Sequence, residues 1–141
     1  MGLVITRRGA ANLLERALNN GETLTLRLFS NNISPGETSD FDDFSEPDES
    51  ASGYDTIDLL NSADNWTITE GDLTTRSYAT YPQQTFSFTG SSGTTYGYFI
   101  TDDSTSIPTV VWAERFSISE SYFDGKDIKV TPRIDLSTRV E

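Results

Sequence analysis

The chain has 141 residues, a length that predicts one ordinary domain with its own hydrophobic core. Its composition, 35% hydrophobic and 11% aromatic, is too apolar for a disordered tail and favours a β-rich fold, because leucine-rich helical periodicity occurs only near the N-terminus. The formal net charge of -12 argues against nucleic acid as a partner, since phosphate contacts need clustered Lys and Arg side chains.

Two missing residue types narrow the possible chemistry. The chain has no cysteine, so a disulfide framework and a thiolate zinc site are excluded. It also has no histidine, which removes the usual general base and the Ser/His and Cys/His nucleophile pairs. A glycosidase needs only two carboxylates, but no pair stands out among the 22 acidic residues. The sequence therefore predicts a protein that is not an enzyme, with no catalytic residue, cofactor or metal.

One segment near the N-terminus has the pattern of a helix. Thr6 can cap it, an apolar stripe follows, and Asn20 with Gly21 supplies a stop signal. The predicted stripe consists of Leu13, Leu14, Ala17 and Leu18. Nowhere does the chain approach the roughly 20 consecutive apolar residues that span a bilayer, so no membrane partner is expected.

The rest of the chain is typical of short strands. Leu24, Leu26 and Leu28 alternate with polar residues, which is the period of a strand with one buried face. Six later segments, separated by Gly, Ser, Asp and Pro, have a similar character: YDTIDLL, WTITEGDLTT, QQTFSFT, TYGYFIT, TVVWAERF and DIKVTPRIDL. The predicted fold is a mainly β, antiparallel β-sandwich or jelly roll with one N-terminal α-helix and a long acidic loop. Its organisation is a single domain, 1–141, in which 1–21 hold the N-terminal segment and helix and 22–141 hold the sandwich.

Residues 31–52 interrupt the strand pattern and form a predicted loop or arm. No Lys or Arg occurs between Arg27 and Arg76, and twelve Asp and Glu residues lie in that gap. Their combined charge of -12 equals the formal net charge of the whole chain. The stretch DFDDFSEPDES lacks the glycine and glutamate spacing of an EF-hand, so a solvated acidic loop is favoured over a calcium site. Phe41 and Phe44 would anchor this loop, and a neighbouring subunit is one place for their rings. Both are candidate interface residues.

The most aromatic stretch of the chain, YPQQTFSFTGSSGTTYGYFI, begins at Tyr81. A three-residue turn, 91–93, would join two strands in a hairpin with Phe88 opposite Tyr96 and Phe86 opposite Tyr98. A two-residue turn would instead divide the aromatic rings between the two faces. The packed hairpin explains the two phenylalanines without a ligand. Tyrosine hydroxyls favour a wet edge or a polar partner, so Tyr81, Tyr96 and Tyr98 are further candidate interface residues.

The last two strand segments carry a tryptophan and a proline. In an extended strand Val111 and Ala113 share one face and Val110 and Trp112 the other, and Trp112 is favoured as a core residue over a sugar platform. In DIKVTPRIDL the alternation continues through Pro132, which indicates an edge strand or a bend.

Taken together, these segments resemble small virion proteins of tailed bacteriophages that are encoded among the structural genes. The resemblance covers nearly the whole chain and rests on the N-terminal helix, the acidic linker and the strings LRLFSNNISPGET, GYDTIDL, YPQQTFSFTG, YGYFITD, WAERF and DIKVTPRIDLS. It implies a β-sandwich structural protein, and it supplies no active site.

A capsid cement or decoration protein is the role that this resemblance implies. Such a protein would be a homotrimer at local threefold positions on the capsid surface, in contact with itself and with the major capsid protein or other virion proteins. It would be made in the host cytoplasm and incorporated into the virion. The alternative is a tail or baseplate adaptor, or a fibre-tip domain that binds host glycans through Trp66 or Trp112.

Overall fold

The computed structural model of the chain describes residues 4–136. This part of the chain forms nine strands, two α-helices and one 3-10 helix, Phe41–Asp43. The helices are α1 (Arg7–Ala17) and α2 (Glu49–Ser52). The strands are β1 (Thr23–Phe29), β2 (Ile57–Leu60), β3 (Thr67–Thr69), β4 (Ser77–Thr80), β5 (Gln84–Ser87), β6 (Gly93–Asp102), β7 (Thr109–Tyr122), β8 (Asp127–Val130) and β9 (Arg133–Leu136). The pairs β1–β6, β3–β4, β4–β9, β5–β8 and β6–β7 are antiparallel, and the prediction of a mainly β fold with an N-terminal helix is confirmed.

These elements belong to two compact units. Of the described residues, the helix unit comprises 4–23, 60–83 and 131–136, and the sandwich unit comprises 24–59 and 84–130. The helix unit contains α1 and a three-stranded sheet in the order β3-β4-β9. The sandwich unit contains a four-stranded sheet in the order β2-β1-β6-β7 and a two-stranded sheet, β5-β8.

Helix α1 begins where the sequence predicts. The Thr6 side chain accepts a hydrogen bond from the Gly9 backbone N–H at 2.9 Å, which satisfies one of the free donors of the first turn. Ala10, Leu14 and Leu18 are buried at a spacing of four residues. The predicted apolar stripe also included Leu13 and Ala17, and this part of the prediction is wrong. Leu13 is 51% exposed and Ala17 is exposed, because both lie off the helix face that buries Leu14 and Leu18.

Tyr54 connects the two sheets of the sandwich unit. Its ring stacks on Phe86 of β5 at 5.9 Å and on Phe88 at 6.3 Å between centroids. Its hydroxyl accepts a hydrogen bond from the backbone N–H of Leu28 in β1 at 3.0 Å. At the end of β7, Tyr122 stacks on Phe88 at 4.5 Å. The two sheets therefore pack through aromatic side chains, as the sheets of a sandwich do.

The predicted aromatic hairpin is wrong. Strand β5 pairs with β8, so Phe86 lies opposite Ile128. Strand β6 lies between β1 and β7, and its Tyr98 is opposite Leu28 on one side and Glu114 on the other.

The predicted turn between these two strands does not form either. Gly93 begins β6, and the residue with a left-handed backbone is Gly90, at φ 106°. The flanking residues Thr89 and Ser91 donate backbone hydrogen bonds to Ser52 and Ala51 of α2, at 2.8 Å each. The chain is thereby tied to α2 instead of reversing on itself.

Two other segments differ from their sequence patterns. The segment DIKVTPRIDL forms two strands, β8 and β9, which belong to different sheets. The chain bends at Pro132 between them, and a bend was one of the two structures that the sequence predicted there. In β7 a bulge between the pairs Ile100/Trp112 and Thr101/Val110 inserts one residue. Because of this bulge, Val110 and Ala113 both pack against one aromatic cluster, where simple alternation places them on opposite faces.

Cysteine cross-linking tests the pairing of β5 with β8. The chain has no cysteine of its own, so oxidation of Ser87→Cys/Asp127→Cys should form one intramolecular disulfide, because these residues are register partners. The control Ser87→Cys/Lys129→Cys, two residues off register on the same strand, should oxidise much more slowly. Non-reducing mass spectrometry measures both, and equal yields would contradict the register.

Candidate interaction site

An aromatic cluster joins the acidic loop to one face of the four-stranded sheet. Phe44 of the loop stacks on Phe99 of β6, with centroids 4.3 Å apart and planes at 12°, and meets the edge of Phe29 at 5.4 Å. Phe41 lies 6.3 Å from Phe99 in a tilted arrangement. Aromatic pairs of this kind contribute about 0.5–1.5 kcal/mol each beyond their buried area. The loop therefore covers this face of its own unit.

A polar network runs beside the aromatic cluster and is centred on Arg27 of β1. Its Nη1 lies 3.1 Å from Oε2 of Glu46 in the loop, and its Nη2 lies 2.8 Å from Oδ2 of Asp103 beyond β6. The guanidinium also lies 5.2 Å from the ring centre of Phe41. The Arg27 side chain is only 13% exposed and has therefore lost most of its contact with water. Its ion pairs with these two carboxylates offset the free energy that this loss of hydration costs.

The two carboxylates are themselves held by hydroxyl groups. The Tyr54 hydroxyl donates to Oε1 of Glu46 at 2.6 Å, and burial together with this neighbouring carboxylate raises the pKa of Tyr54 well above its ordinary value. The hydroxyls of Thr101 and Thr25 donate to Asp103 at 2.7 and 3.0 Å. Burial tends to raise the pKa of Asp103, but these hydrogen bonds and Arg27 outweigh it and hold the pKa below its ordinary value.

Backbone and amide hydrogen bonds fasten the loop at its base. The Ser30 N–H donates to the Ser45 carbonyl at 2.6 Å. The Asn31 side chain accepts from the Ser45 N–H at 2.9 Å and donates to the Asp43 carbonyl at 2.8 Å. The segment predicted as an arm is thus bound to its own sheet as far as Glu46.

Three of the five candidate interface residues meet in this cluster. Phe44 is buried and 9% exposed, whereas Phe41 and Tyr96 are half-buried at its margin. The guanidinium of Arg115 lies 5.3 Å from the ring centre of Tyr96, and its Nη1 donates to the Ile33 carbonyl at 2.7 Å. Contacts within the chain account for these rings, and their role in an interface stays a prediction.

The other two candidates lie apart from the cluster. Tyr98 is 4% exposed, and its hydroxyl donates to Oε2 of Glu114 at 2.7 Å on the opposite face of the sheet. Tyr81 belongs to the helix unit, where its hydroxyl accepts from the Leu60 N–H at 3.2 Å. Each hydroxyl has a polar hydrogen-bond partner, as the sequence predicts. Each partner belongs to the same unit of this chain as the tyrosine.

A groove lies between the acidic loop and β7, and the sequence did not indicate it. Residues 35–39 form one wall, and residues 110–113 of β7 form the other. The buried Nε1 of Trp112 has no hydrogen-bond partner among residues 4–136. Trp66 differs: it is 3% exposed in the helix unit, lies edge-on to Tyr81 at 5.1 Å and donates from Nε1 to Asn61 at 3.0 Å.

Exposed apolar side chains follow strand β7 from end to end. Eight large apolar residues in the described part of the chain are exposed; two of them lie on β7, and two more lie within two residues of its ends. Their exposures are 67% at Ile107, 43% at Val111, 79% at Ile118 and 51% at Phe123. Strand β7 is also the edge of its sheet, so this apolar surface adjoins backbone groups that pair on one side only.

Within residues 4–136, no group of three or more acidic side chains is arranged to hold a metal ion. No helix in this part of the chain has the length and apolar character needed to cross a membrane. A mainly β protein with antiparallel sheets, an N-terminal helix and an apolar sheet edge is the class that this geometry defines. Comparison with family models, curated proteins and solved structures found no match to the chain.

Replacement of Arg27 tests the polar network. Arg27→Met should lower the free energy of unfolding by about 2–3 kcal/mol, between the ranges for buried and surface pairs, because Glu46 and Asp103 lose their cation. The matched control is Arg8→Met, since Arg8 is 89% exposed and 3.9 Å from Glu70, and should change stability by less than about 0.5 kcal/mol. Urea denaturation measures both, and equal effects would rule out the special position of Arg27.

The lowered pKa of Asp103 predicts a dependence of stability on pH. Because the carboxyl ionises more readily in the folded state, its contribution is complete above 3.8 and is lost as the pH falls through the lower, folded value. Asp103→Asn should therefore destabilise the protein at about pH 7, and the difference from the wild type should shrink towards about pH 3. Urea denaturation at both pH values measures this difference, and a constant difference would refute the assignment.

Proposed function

We propose that this chain is a noncatalytic structural protein of a tailed-bacteriophage virion, and specifically a capsid cement or decoration protein. In this role it associates with copies of itself, as a homotrimer, and with the major capsid protein on the head surface. The observation that carries the proposal is the set of four exposed apolar side chains on or near the edge strand β7: Val111 and Ile118 on the strand, and Ile107 and Phe123 beyond its two ends. Exposed apolar side chains that recur along one edge strand are a feature of surfaces that become buried on assembly.

The charge of the chain fits the same role. The acidic loop turns Phe44 inward and leaves Asp42 and Glu49 exposed, so its outer surface is negative. A net charge of -12 disfavours nonspecific association, so stable contacts are expected only where a matched partner surface buries the apolar side chains. Such a surface suits attachment to an existing lattice.

Substitution on the apolar edge tests this function. Recombinant protein should bind purified heads of the encoding phage, and Ile118→Lys should weaken binding at least about tenfold, or ~1.4 kcal/mol, because it places a charge on the contact surface. Leu73→Lys is the matched control: Leu73 is 93% exposed, lies in the helix unit and should leave binding unchanged.

Electron microscopy of the intact particle locates the protein directly. Density for this chain at threefold positions on the head is the expected result, and sedimentation should give a trimer. Density on the tail, with no effect of Ile118→Lys on head binding, would overturn the cement role.

The alternative, an adaptor or fibre-tip domain that binds host glycans, is favoured by one observation. Trp112 lines the groove beside β7 and is only half-buried, whereas Trp66 is 3% exposed. Glycan-array binding that disappears in Trp112→Ala and persists in Trp66→Phe would support this second function.

A further inference from the structure

Asn20 and Gly21, which lie between α1 and β1, form a chemically labile pair. No other asparagine of the chain precedes a glycine. Both residues are exposed, and Gly21 has a left-handed backbone at φ 76°. Because glycine has no Cβ, its backbone nitrogen can reach the preceding side chain without a steric barrier, and asparagine is itself a heat-labile residue. The pair is therefore a place where the chain can modify itself.

The modification is an intramolecular attack that needs no enzyme and no cofactor. The backbone nitrogen of Gly21 attacks Cγ of the Asn20 carboxamide. The new N–Cγ bond replaces the Cγ–Nδ2 bond, and Nδ2 leaves as ammonia with the proton that Gly21 gives up. Water then opens the succinimide ring at either of its carbonyl groups, which gives aspartate or isoaspartate at position 20. The reaction therefore requires a Gly21 N–H that no other acceptor holds.

In the folded chain another acceptor does hold this N–H. Gly21 donates to the Asn61 carbonyl at 2.9 Å, and the Asn61 N–H in turn donates to the Glu22 carbonyl at 2.8 Å. We call this contact of residues 20–22 with Asn61 the lock. Because its bonds run in both directions, release of the Gly21 nitrogen requires a local opening of the whole contact.

The side chain of Asn61 anchors the lock inside the helix unit. Asn61 is 2% exposed, and its Oδ1 accepts a hydrogen bond from Nε1 of Trp66 at 3.0 Å. Its Nδ2 donates to Oδ1 of Asn20 at 3.2 Å. The same Oδ1 of Asn20 accepts from the Glu22 N–H at 2.9 Å. The carboxamide that would react is thus held in place together with the nitrogen that would attack it.

Asp124 and Gly125, in the sandwich unit, are the other place where an acidic or amide residue of this type precedes glycine. Gly125 also has a left-handed backbone, at φ 86°, and its N–H donates to the Phe88 carbonyl at 2.9 Å. The attacking nitrogen of each pair is therefore held by a carbonyl group far away in the sequence. An ionised carboxylate is a poorer electrophile than a carboxamide, so Asp124 reacts more slowly than Asn20 and provides an internal reference.

We propose that Asn20 is a self-modification site that the lock keeps inactive, and that each local opening of the lock exposes it to conversion into aspartate or isoaspartate. The product opposes closure of the lock. Nδ2 of Asn20 lies 3.5 Å from Oε2 of Glu22 as a donor, and a carboxylate in its place sets two negative groups against each other. Isoaspartate also lengthens the main chain of this turn by a methylene group. Conversion thus accumulates in one direction and records how often the helix unit has opened.

Peptide mapping by mass spectrometry measures the reaction. Wild-type protein is kept at one mildly alkaline pH, in native buffer and in guanidinium chloride that unfolds it, and the tryptic peptide 17–27 is followed over time. Conversion should be at least about tenfold faster in the denaturant, because the native state first has to break the Gly21 hydrogen bond. Isoaspartate should appear beside aspartate, since direct hydrolysis of the side-chain amide gives aspartate alone. Gly21→Ala should slow the reaction in the denaturant, because a Cβ hinders the attack.

Two variants separate the lock from the overall stability of the unit. Asn61→Ala removes the anchoring side chain and should speed conversion of Asn20 in native buffer about tenfold. Thr6→Ala removes the cap of α1 and destabilises the same unit away from the lock. When denaturant brings both variants to the same free energy of unfolding, Asn61→Ala should still convert faster. Isomerisation at Asp124 should be the same in both.

Hydrogen exchange in the wild type tests the inference without any variant. Exchange of the Gly21 N–H and conversion of Asn20 should accelerate together as denaturant rises below the unfolding midpoint, since both need the same N–H to be released. Equal conversion in native buffer and denaturant, aspartate as the sole product, or conversion that does not follow Gly21 exchange would overturn the inference. Conversion in Asn61→Ala no faster than in Thr6→Ala at equal stability would also overturn it. The proposed assembly role predicts nothing about these rates, so the two proposals stand or fall separately.

Discussion

One ion pair, between Arg27 of β1 and Glu46, ties the carboxylates of the acidic loop to the sandwich unit. A guanidinium that is 13% exposed has lost most of its hydration, and it is stable there because Glu46 and Asp103 flank it and Phe41 covers it. The next basic residue along the chain is Arg76, so no other side chain of the loop region can take its place. The acidic loop therefore forms an ion pair, through Glu46, with Arg27, the last basic residue before it in the sequence.

This arrangement separates two kinds of side chain that alternate closely in the loop. Phe41 and Phe44 turn towards Phe99, while Asp42 and Glu49 remain in water. The loop seals one face of the sheet, but it leaves the edge of that sheet at β7 open. The loop therefore covers one face of the sheet and leaves its β7 edge open, and the proposed assembly role concerns that edge.

Features that depend on neighbours in sequence were predictable. The Thr6 cap, the first strand at Thr23–Phe29 and the break at Pro132 all follow from local backbone geometry and side-chain period. The hairpin was wrong because two amphipathic strands that follow each other need not pair. Strand β6 is bordered by β1, about 70 residues earlier, and by β7, and those partners bury both sides of Tyr98. The alternation of apolar and polar residues identifies a strand, but it does not identify the strand with which it pairs.

The candidate site was predictable only in part for the same reason. The aromatic residues of the loop were recognisable as anchors, and Phe44 is one, but its ring lies against Phe99, 55 positions away in the sequence and invisible to any local pattern. The gap in basic residues after Arg27 was visible, yet nothing local showed that Arg27 itself binds Glu46. The Val111 bulge, which sets the faces of Val110 and Ala113, depends on the register with β6.

The sequence by itself determined the mainly β class, the capped N-terminal helix, the acidic character and the absence of cysteine and histidine chemistry, because composition and short-range backbone preferences are properties of the chain alone. The tertiary structure decided which strands pair, where the loop lies, and that β7 ends up at an open edge with Trp112 beside it. Those outcomes depend on burial and hydrogen bonding between residues that are distant along the chain, and they come into contact only when the whole unit folds.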